Sequence, residues 1–270
     1  METRPGGAVP DRSASPFAVV IAAAGSSSRM RPEGEPPSKK EYLPLGGGFL
    51  DNQGKPLTVL GASVLAFAVF PRIETIAIAV PAQGELEARK ALPDYLLSLR
   101  EGEEPEKPRP RILFVPGGLS RRLSVHHALS FLAAYKPGLA LIHDGARPWV
   151  SASLISTVIR QTLTYGAAIP LLPLVETPKE VDGEGFILRH LRRAGTGTAQ
   201  TPQGFLFPEI LRAHEKAAEK ELAGGREYTD DAEVWGEFYG PVATVPGEIG
   251  NRKITFPGDL GRDIPARGSS

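Results

Sequence analysis

Residues 17–30 read FAVVIAAAGSSSRM, and this stretch decides the fold. Phe17–Ala23 is an unbroken apolar run, partly β-branched, and it ends in small residues around Gly25. A strand with only one buried face would alternate apolar and polar side chains. A continuous run suits a strand covered on both faces, as in a parallel sheet. Runs of the same kind recur at Ile73–Val80, Ile112–Val115, Leu139–Ile142 and Ala167–Leu172.

Between these runs the apolar spacing changes from continuous to helical. Leu60, Val64, Phe67 and Ala68 fall on one helix face, as do Val125, Ala128, Leu129, Leu132 and Ala133, and Leu154, Ile155, Val158 and Ile159. Strands alternating with helices predict an α/β fold: a mostly parallel twisted sheet with helices on both faces. Two stretches break the rhythm. Residues 101–110 (EGEEPEKPRP) are charged and Pro-rich and predict a surface loop. Residues 173–200 mix short apolar pieces with Gly195, Gly197 and several arginines, and predict a hairpin-like arm projecting from the sheet. Residues 1–15 are Pro/Gly/Ser-rich and aperiodic, so a flexible N-terminal tail is expected, followed by one domain over 16–262 and a tail over 263–270.

Composition narrows the function. The chain of 270 residues has no cysteine, which excludes a disulfide framework, a thiolate nucleophile and a cysteine-ligated zinc site. Its 31 basic and 31 acidic side chains balance, so no overall field attracts nucleic acid or anionic lipid. The apolar runs reach about eight residues, far short of the ~20 that span a bilayer. Met1–Ser15 lacks the apolar core of a secretory signal. A cytoplasmic enzyme with neither nucleic-acid nor membrane partners is expected. Gly and Pro, 30 and 26 residues, make about a fifth of the chain and predict punctuated loops rather than disorder.

In an open α/β sheet, ligands bind beyond the carboxyl ends of the strands. The residues that follow each apolar run therefore carry the chemical interest. Ala23, Ala24, Gly25 and Ser26 are small enough for backbone N–H groups to approach phosphate oxygens, and Arg29 and Lys40 add positive charge. The loop is neither a P-loop nor a dinucleotide fingerprint, since GxxxxGK[ST] and GxGxxG are both absent here. Alone it reads more simply as an ordinary solvated loop. His143-Asp144-Gly145-Ala146-Arg147-Pro148 follows another run, where Asp144 and Arg147 suit a metal, a sugar hydroxyl, a phosphate, or merely a braced turn. Gly117-Gly118 stands before the helix containing Ser124 and can offer N–H groups to an anion or a base edge. Thr201-Pro202-Gln203 is uninformative alone. Tyr228–Asp231 reads as a helix N-cap with acidic first-turn residues, and Lys253 as an exposed lysine near the start of a short strand. The five histidines show no HxxxH or HExxH spacing, and no GxSxG elbow occurs.

Taken in order, AAGSSSRM, KKEYL, GGLSRRLSV, HDGARP, LVETPKE, TPQ and NRKIT resemble the 2-C-methyl-D-erythritol 4-phosphate cytidylyltransferases of non-mevalonate isoprenoid synthesis. The resemblance runs from about Phe17 to Leu260. It implies a Rossmann-like nucleotidyltransferase fold and a homodimer whose arm completes the neighbour's site. The implied reaction joins CTP to the sugar-alcohol phosphate with Mg²⁺, releasing pyrophosphate. Position by position, Arg29 and Lys40 match the family's transition-state stabilisers. Arg193 and Lys253 match the groups that position the acceptor phosphate. Gly118 and Ser124 match nucleotide contacts. Asp144, Arg147 and Thr177 match residues around the acceptor, and Thr201 belongs to the TPQ on the substrate side. Asp144 is left open between holding Mg²⁺, directly or through water, and holding acceptor hydroxyls. The chain departs from the family at Ser27, where glycine is common, in an insertion over Arg31–Ser38, at Gly250, and at Pro178 beside Thr177. A cytidylyltransferase using ribitol 5-phosphate is the alternative. Residues 261–270 leave no room for a second enzyme, so a single activity is expected.

Overall fold

The structure is a computed structural model that describes residues 12, 14–26, 39–46, 48–51, 53–97, 109–225 and 227–260. Arg29 with Ser27, the Arg31–Ser38 insertion, most of the 101–110 loop and the C-terminal tail lie outside the described residues.

Each continuous apolar run forms a strand: β1 (Phe17–Ala22), β2 (Ile73–Val80), β3 (Arg111–Pro116), β4 (Leu139–Asp144) and β5 (Ala167–Pro173). Three further short strands, β6 (Lys179–Val181), β7 (Ile187–His190) and β8 (Gly197–Ala199), belong to the arm, and β9 (Gln203–Leu206) and β10 (Ala243–Pro246) return to the sheet. The sheet order is β10-β5-β9-β4-β1-β2-β3, with β8 paired to β5. β1 runs parallel to both β2 and β4, and β2 parallel to β3. β9 is antiparallel to both neighbours, β4 and β5. The mostly parallel sheet is as expected; the antiparallel insertion is not, because a four-residue strand carries too little pattern to reveal its direction.

β1 shows why its sequence has no polar break. Phe17, Val19, Ile21 and Ala23 point into one apolar layer and Ala18 and Val20 into the other. The first layer is closed by α1 (Val59–Ala68) and α5 (Ala152–Tyr165), the second by α4 (Arg121–Leu132), α6 (Phe207–Leu222) and α7 (Asp231–Tyr239). Two short helices, α2 (Glu85–Lys90) and α3 (Asp94–Leu97), follow β2. Each large side chain fully buried this way, such as Phe67 or Phe205, contributes about 1.5–3 kcal/mol. Side-chain caps start α1, α4, α5 and α7: Thr58 accepts from the Gly61 amide, Ser120 from Leu123, Ser151 from Leu154 and Asp230 from Glu233.

β6 and β7 form a separate two-stranded antiparallel hairpin, which is the arm expected over 173–200. The hairpin exposes Val181, Phe186, Ile187 and Leu188. Within the stretch expected to be a tail, Arg12 donates to Glu209 at 2.8 Å and the Ser15 carbonyl accepts from Arg72 at 2.7 Å, so these residues are tied to the domain. The Lys253 segment is not a strand. It is an extended stretch after Asn251, pinned where the Ile254 amide donates to the Ala146 carbonyl at 2.9 Å. Among the described residues no helix is long and apolar enough to cross a membrane.

Candidate active site

β1 has β2 on one side and β4 on the other, so connections leave this point in opposite directions and the chain opens a crevice past the carboxyl ends. A cleft of about 780 Å³ occupies it. Its lining comes from four strand ends: Ala24, Gly25 and Ser26 after β1, Pro81 after β2, Gly118–Arg121 and Ser124 after β3, and Asp144 and Ala146 at β4. Lys39, Lys40, Glu41, Lys253 and Thr255 complete the wall.

Close backbone approach builds the glycine-rich side of the cleft. A Cβ on Gly117 would stand 2.3 Å from the Ala24 Cβ, so only glycine lets the β3 loop meet the β1 loop. The Ser124 hydroxyl accepts from the Gly118 amide at 3.0 Å and donates to the Ser120 carbonyl at 2.8 Å, which holds the Gly-Gly turn onto α4. Of the small residues expected here, Ala24, Gly25 and Ser26 line the cleft. Ala23 does not: it is buried and its amide continues the sheet by donating to Ala79.

Two lysines more than 200 residues apart meet on the opposite wall. Lys40 is buried and its Nζ donates to the Ile254 carbonyl at 2.7 Å. Lys253, the preceding residue, places Nζ 3.0 Å from Asp144 Oδ2. Asn251 presents this segment, its amide donating to the Thr201 carbonyl and its own carbonyl accepting from Arg147, each at 2.8 Å. Lys39 stands beside Lys40 with Nζ 2.6 Å from the Gly25 carbonyl, and so ties the lysine pair to the β1 loop. Burial lowers the Lys39 ammonium below its ordinary value, against the opposing charge of Glu41.

Asp144 forms the floor. Its Oδ1 lies 3.4 Å from Arg121 Nε, and its Oδ2 lies 3.2 Å from Arg147 Nε as well as near Lys253. Burial alone would raise this carboxyl, but Arg121, Lys253 and Arg147 outweigh it and hold it far below the usual carboxylate range. The backbone of Asp144 is fixed from beneath. His143 Nε2 faces the Arg147 carbonyl at 3.0 Å, which can only accept, so that nitrogen carries the proton. His143 Nδ1 then accepts from the Thr201 hydroxyl at 3.0 Å, and the same hydroxyl accepts from the Asp144 amide at 3.1 Å. Burial pushes His143 down to about 4, so the ring stays neutral.

The structure therefore gathers Lys40, Lys253, Asp144 and Arg147, with Gly118 and Ser124 across the cleft. Thr201, expected on the substrate side, is buried under the floor instead, because its hydroxyl is occupied by His143 and Asp144. Thr177 and Arg193 are exposed on the arm and do not line this cleft; Arg193 Nη1 donates to the Val175 carbonyl at 2.8 Å. Arg121 is the principal residue that sequence reading missed. It sat inside the quoted GGLSRRLSV, but nothing local distinguishes it from Arg122, which turns away to Glu221. The Tyr228–Asp231 turn divides: Asp230 is the helix cap, as expected, while Asp231 is fully buried against Arg121.

The side chains fit a resident divalent ion poorly. Asp144 already faces three cations, and no group of three or more His, Cys, Asp or Glu gathers among the described residues.

A doubly wound sheet whose switch-point crevice holds small-residue loops against fixed cations is an arrangement with the chemistry to receive a phosphorylated ligand. The family model for 2-C-methyl-D-erythritol 4-phosphate cytidylyltransferase matches residues 17–263, and the chain belongs to this family. It is 35% identical over 243 residues to the 2-C-methyl-D-erythritol 4-phosphate cytidylyltransferase of Pelotomaculum thermopropionicum, covering 90% of each chain. It is 33% identical over 243 residues to the bifunctional enzyme IspD/IspF of Mesorhizobium japonicum, covering 90% of this chain and 53% of that protein. The chain thus spans about half the length of such bifunctional relatives. The solved 2-C-methyl-D-erythritol 4-phosphate cytidylyltransferase of Thermus thermophilus superposes with a TM-score of 0.63 at 31% identity, over 91% of this chain and 95% of that one.

Proposed function

We propose that the protein transfers CMP from CTP to 2-C-methyl-D-erythritol 4-phosphate, giving the cytidine diphosphate conjugate and pyrophosphate. The observation that carries this reading is the meeting of Lys40, Lys253 and Asp144 opposite the Gly117–Ser124 turn, in a chain that matches the family along 17–263. A phosphate oxygen of the acceptor attacks the α-phosphorus of CTP, forming the new P–O bond. The bond from that phosphorus to the bridging oxygen breaks, and pyrophosphate leaves with the electron pair. A phosphate monoester is largely dianionic near neutral pH, since its second pKa is about 6, so the nucleophile needs no general base. His143 suits this account, being neutral and enclosed below the floor rather than facing the cleft.

What the reaction demands is that two anions approach and that charge building on the triphosphate be stabilised. Lys40 and Arg29 serve the triphosphate in this reading, and Lys253, with Asp144 and Arg147, the acceptor. Preorganised cations act here through positioning and electrostatics. Gly118 and Ser124 face the nucleotide. Mg²⁺ would accompany the substrate triphosphate as its counter-ion and neutralise part of its charge, with no resident site among the described residues. Thr177 and Arg193 act on the acceptor in a second copy of the chain: they are exposed on an arm with apolar flanks, and a homodimer brings them to the neighbour's cleft. The reading places the protein in the cytoplasm, with CTP.

The test is CTP-dependent pyrophosphate release with methylerythritol 4-phosphate and ribitol 5-phosphate side by side in Mg²⁺. A preference of roughly two orders of magnitude for the first, a difference of about 2.8 kcal/mol, is the expected result. Preference for ribitol 5-phosphate moves the acceptor assignment, and silence with both overturns the catalytic reading.

A further inference from the structure

Asp231 occupies the first turn of α7, fully buried, although Asp230 already caps that helix. Its Oδ2 lies 2.8 Å from Arg121 Nη1 and its Oδ1 3.2 Å from His214 Nε2. The same guanidinium turns Nε toward Asp144 Oδ1 at 3.4 Å. One arginine thus spans two carboxylates, one enclosed between α4, α6 and α7 and the other on the cleft floor.

Local preference does not explain this arrangement. Arg121 is the first residue of α4, at the positive end of the helix dipole, where a cation is disfavoured. A buried carboxylate costs several kcal/mol unless it is paired, and a well-packed apolar group of similar size would stabilise the position as well. The base of α7 is itself anchored to β9: Gln203 Nε2 donates to Asp230 at 2.8 Å and its Oε1 accepts from the Ala232 amide at 3.0 Å. Asp231 is therefore a fixed post. Arg121, tied to it at one end, faces Oδ1 of Asp144 with the other while Oδ2 faces Arg147 and Lys253.

We propose that Asp231 is a positioning residue that acts through Arg121 to set the Asp144 carboxylate, and through it the places of Lys253 and Arg147. The proposal rests on the reading of Asp144 as an acceptor-side group. It is tested by steady-state kinetics of Asp231→Asn, with Arg121→Lys as the second variant because it keeps a positive charge and leaves Asp231 unsubstituted but loses the two-ended fork. Both variants are also made in an Asp144→Asn background. The expected result is a rise of about tenfold in acceptor KM with CTP KM moving less than about twofold, and no further rise once residue 144 is already Asn. Equal movement of both KM values, or effects that add in the double variants, overturns the proposal. If Asp144→Asn alone leaves acceptor KM unchanged, the acceptor reading of Asp144 is what fails. The relay is then decided by a crystal structure of Asp231→Asn: displacement of Arg121 from Asp144 upholds it, and an unmoved Arg121 overturns it.

Discussion

On the cleft floor, Asp144 is 7% exposed and confronts Arg121, Arg147 and Lys253, with its backbone fixed by Thr201 and His143. On the arm, Val175 is 81% exposed and Thr177 and Arg193 stand in solvent, away from the cleft of their own chain. The floor is assembled from segments near residues 40, 121, 144, 201 and 253, and each is held by bonds to the others. The arm is a short hairpin whose apolar side chains Val181, Phe186, Ile187 and Leu188 are not covered by any layer of the described residues. One region is held together by contacts within a single copy; the other acquires a purpose in the proposed reading only when a second copy is present.

The largest expected effect breaks the floor. Lys40→Ala removes a preorganised cation and should lower kcat about 10²–10³-fold; a turnover close to the unsubstituted protein's would remove Lys40 from the triphosphate. The next separates floor from arm directly. Arg193→Ala and Lys253→Ala should each lose roughly 10- to 100-fold in kcat/KM, the loss of a charge-assisted hydrogen bond. When the two variants are mixed and allowed to exchange subunits, half the hybrid's sites carry both native groups if the arm works across the dimer. Activity should then recover to about a quarter of the native level, as random pairing of a two-fold dimer requires. No recovery on mixing, with exchange verified, would return Arg193 to its own chain.

Acid tests how firmly the floor depends on a neutral ring. His143 is pushed down to about 4 in the fold, whereas the unfolded chain titrates near 6.5. A base whose value is lowered by folding contributes stability that is fully present above about pH 6.5 and is lost as the unfolded state gains its proton on the way down to about 4. That loss amounts to about 3 kcal/mol at most. Urea midpoints measured from pH 7 to 4.5 should fall, and His143→Gln should flatten the decline. The smallest effect concerns the floor's underpinning. Thr201→Val leaves the Asp144 amide and a ring nitrogen without their partner and should cost about 1–3 kcal/mol in unfolding free energy. An unchanged thermal midpoint would show that water replaces the hydroxyl.

The difference between the two regions also explains what could be read from the residues alone. β1 was legible because a strand covered on both faces must be apolar at every position, and Phe17–Ala23 is. The arm was legible as an interruption, since its short alternating pieces fit neither a buried strand nor a helix stripe. β9 escaped notice: Gln203 and Gly204 are polar or small for reasons of place. Gln203 anchors α7, and Gly204 passes where a Cβ would meet the Thr162 hydroxyl at 2.2 Å.

The candidate site divides in the same way. Lys40, Asp144, Arg147, Gly118, Ser124 and Lys253 were picked out because they follow strand ends or lie in motifs shared with the family; the fold brings five of them to the wall of one cleft and sets Arg147 against Asp144 behind it. Arg29 lies outside the described residues. By itself the sequence determined the mostly parallel sheet with helices on both faces and the crevice past its carboxyl ends, because periodicity is a local property; Lys253 stood out only through the order of motifs shared with the family. Only the tertiary structure decided that Thr201 supports rather than contacts, that Ile254 receives Lys40, and that Asp231 reaches Asp144 through Arg121. Each of these joins residues from 57 to 214 positions apart, and no spacing in a sequence records a distance that only folding creates.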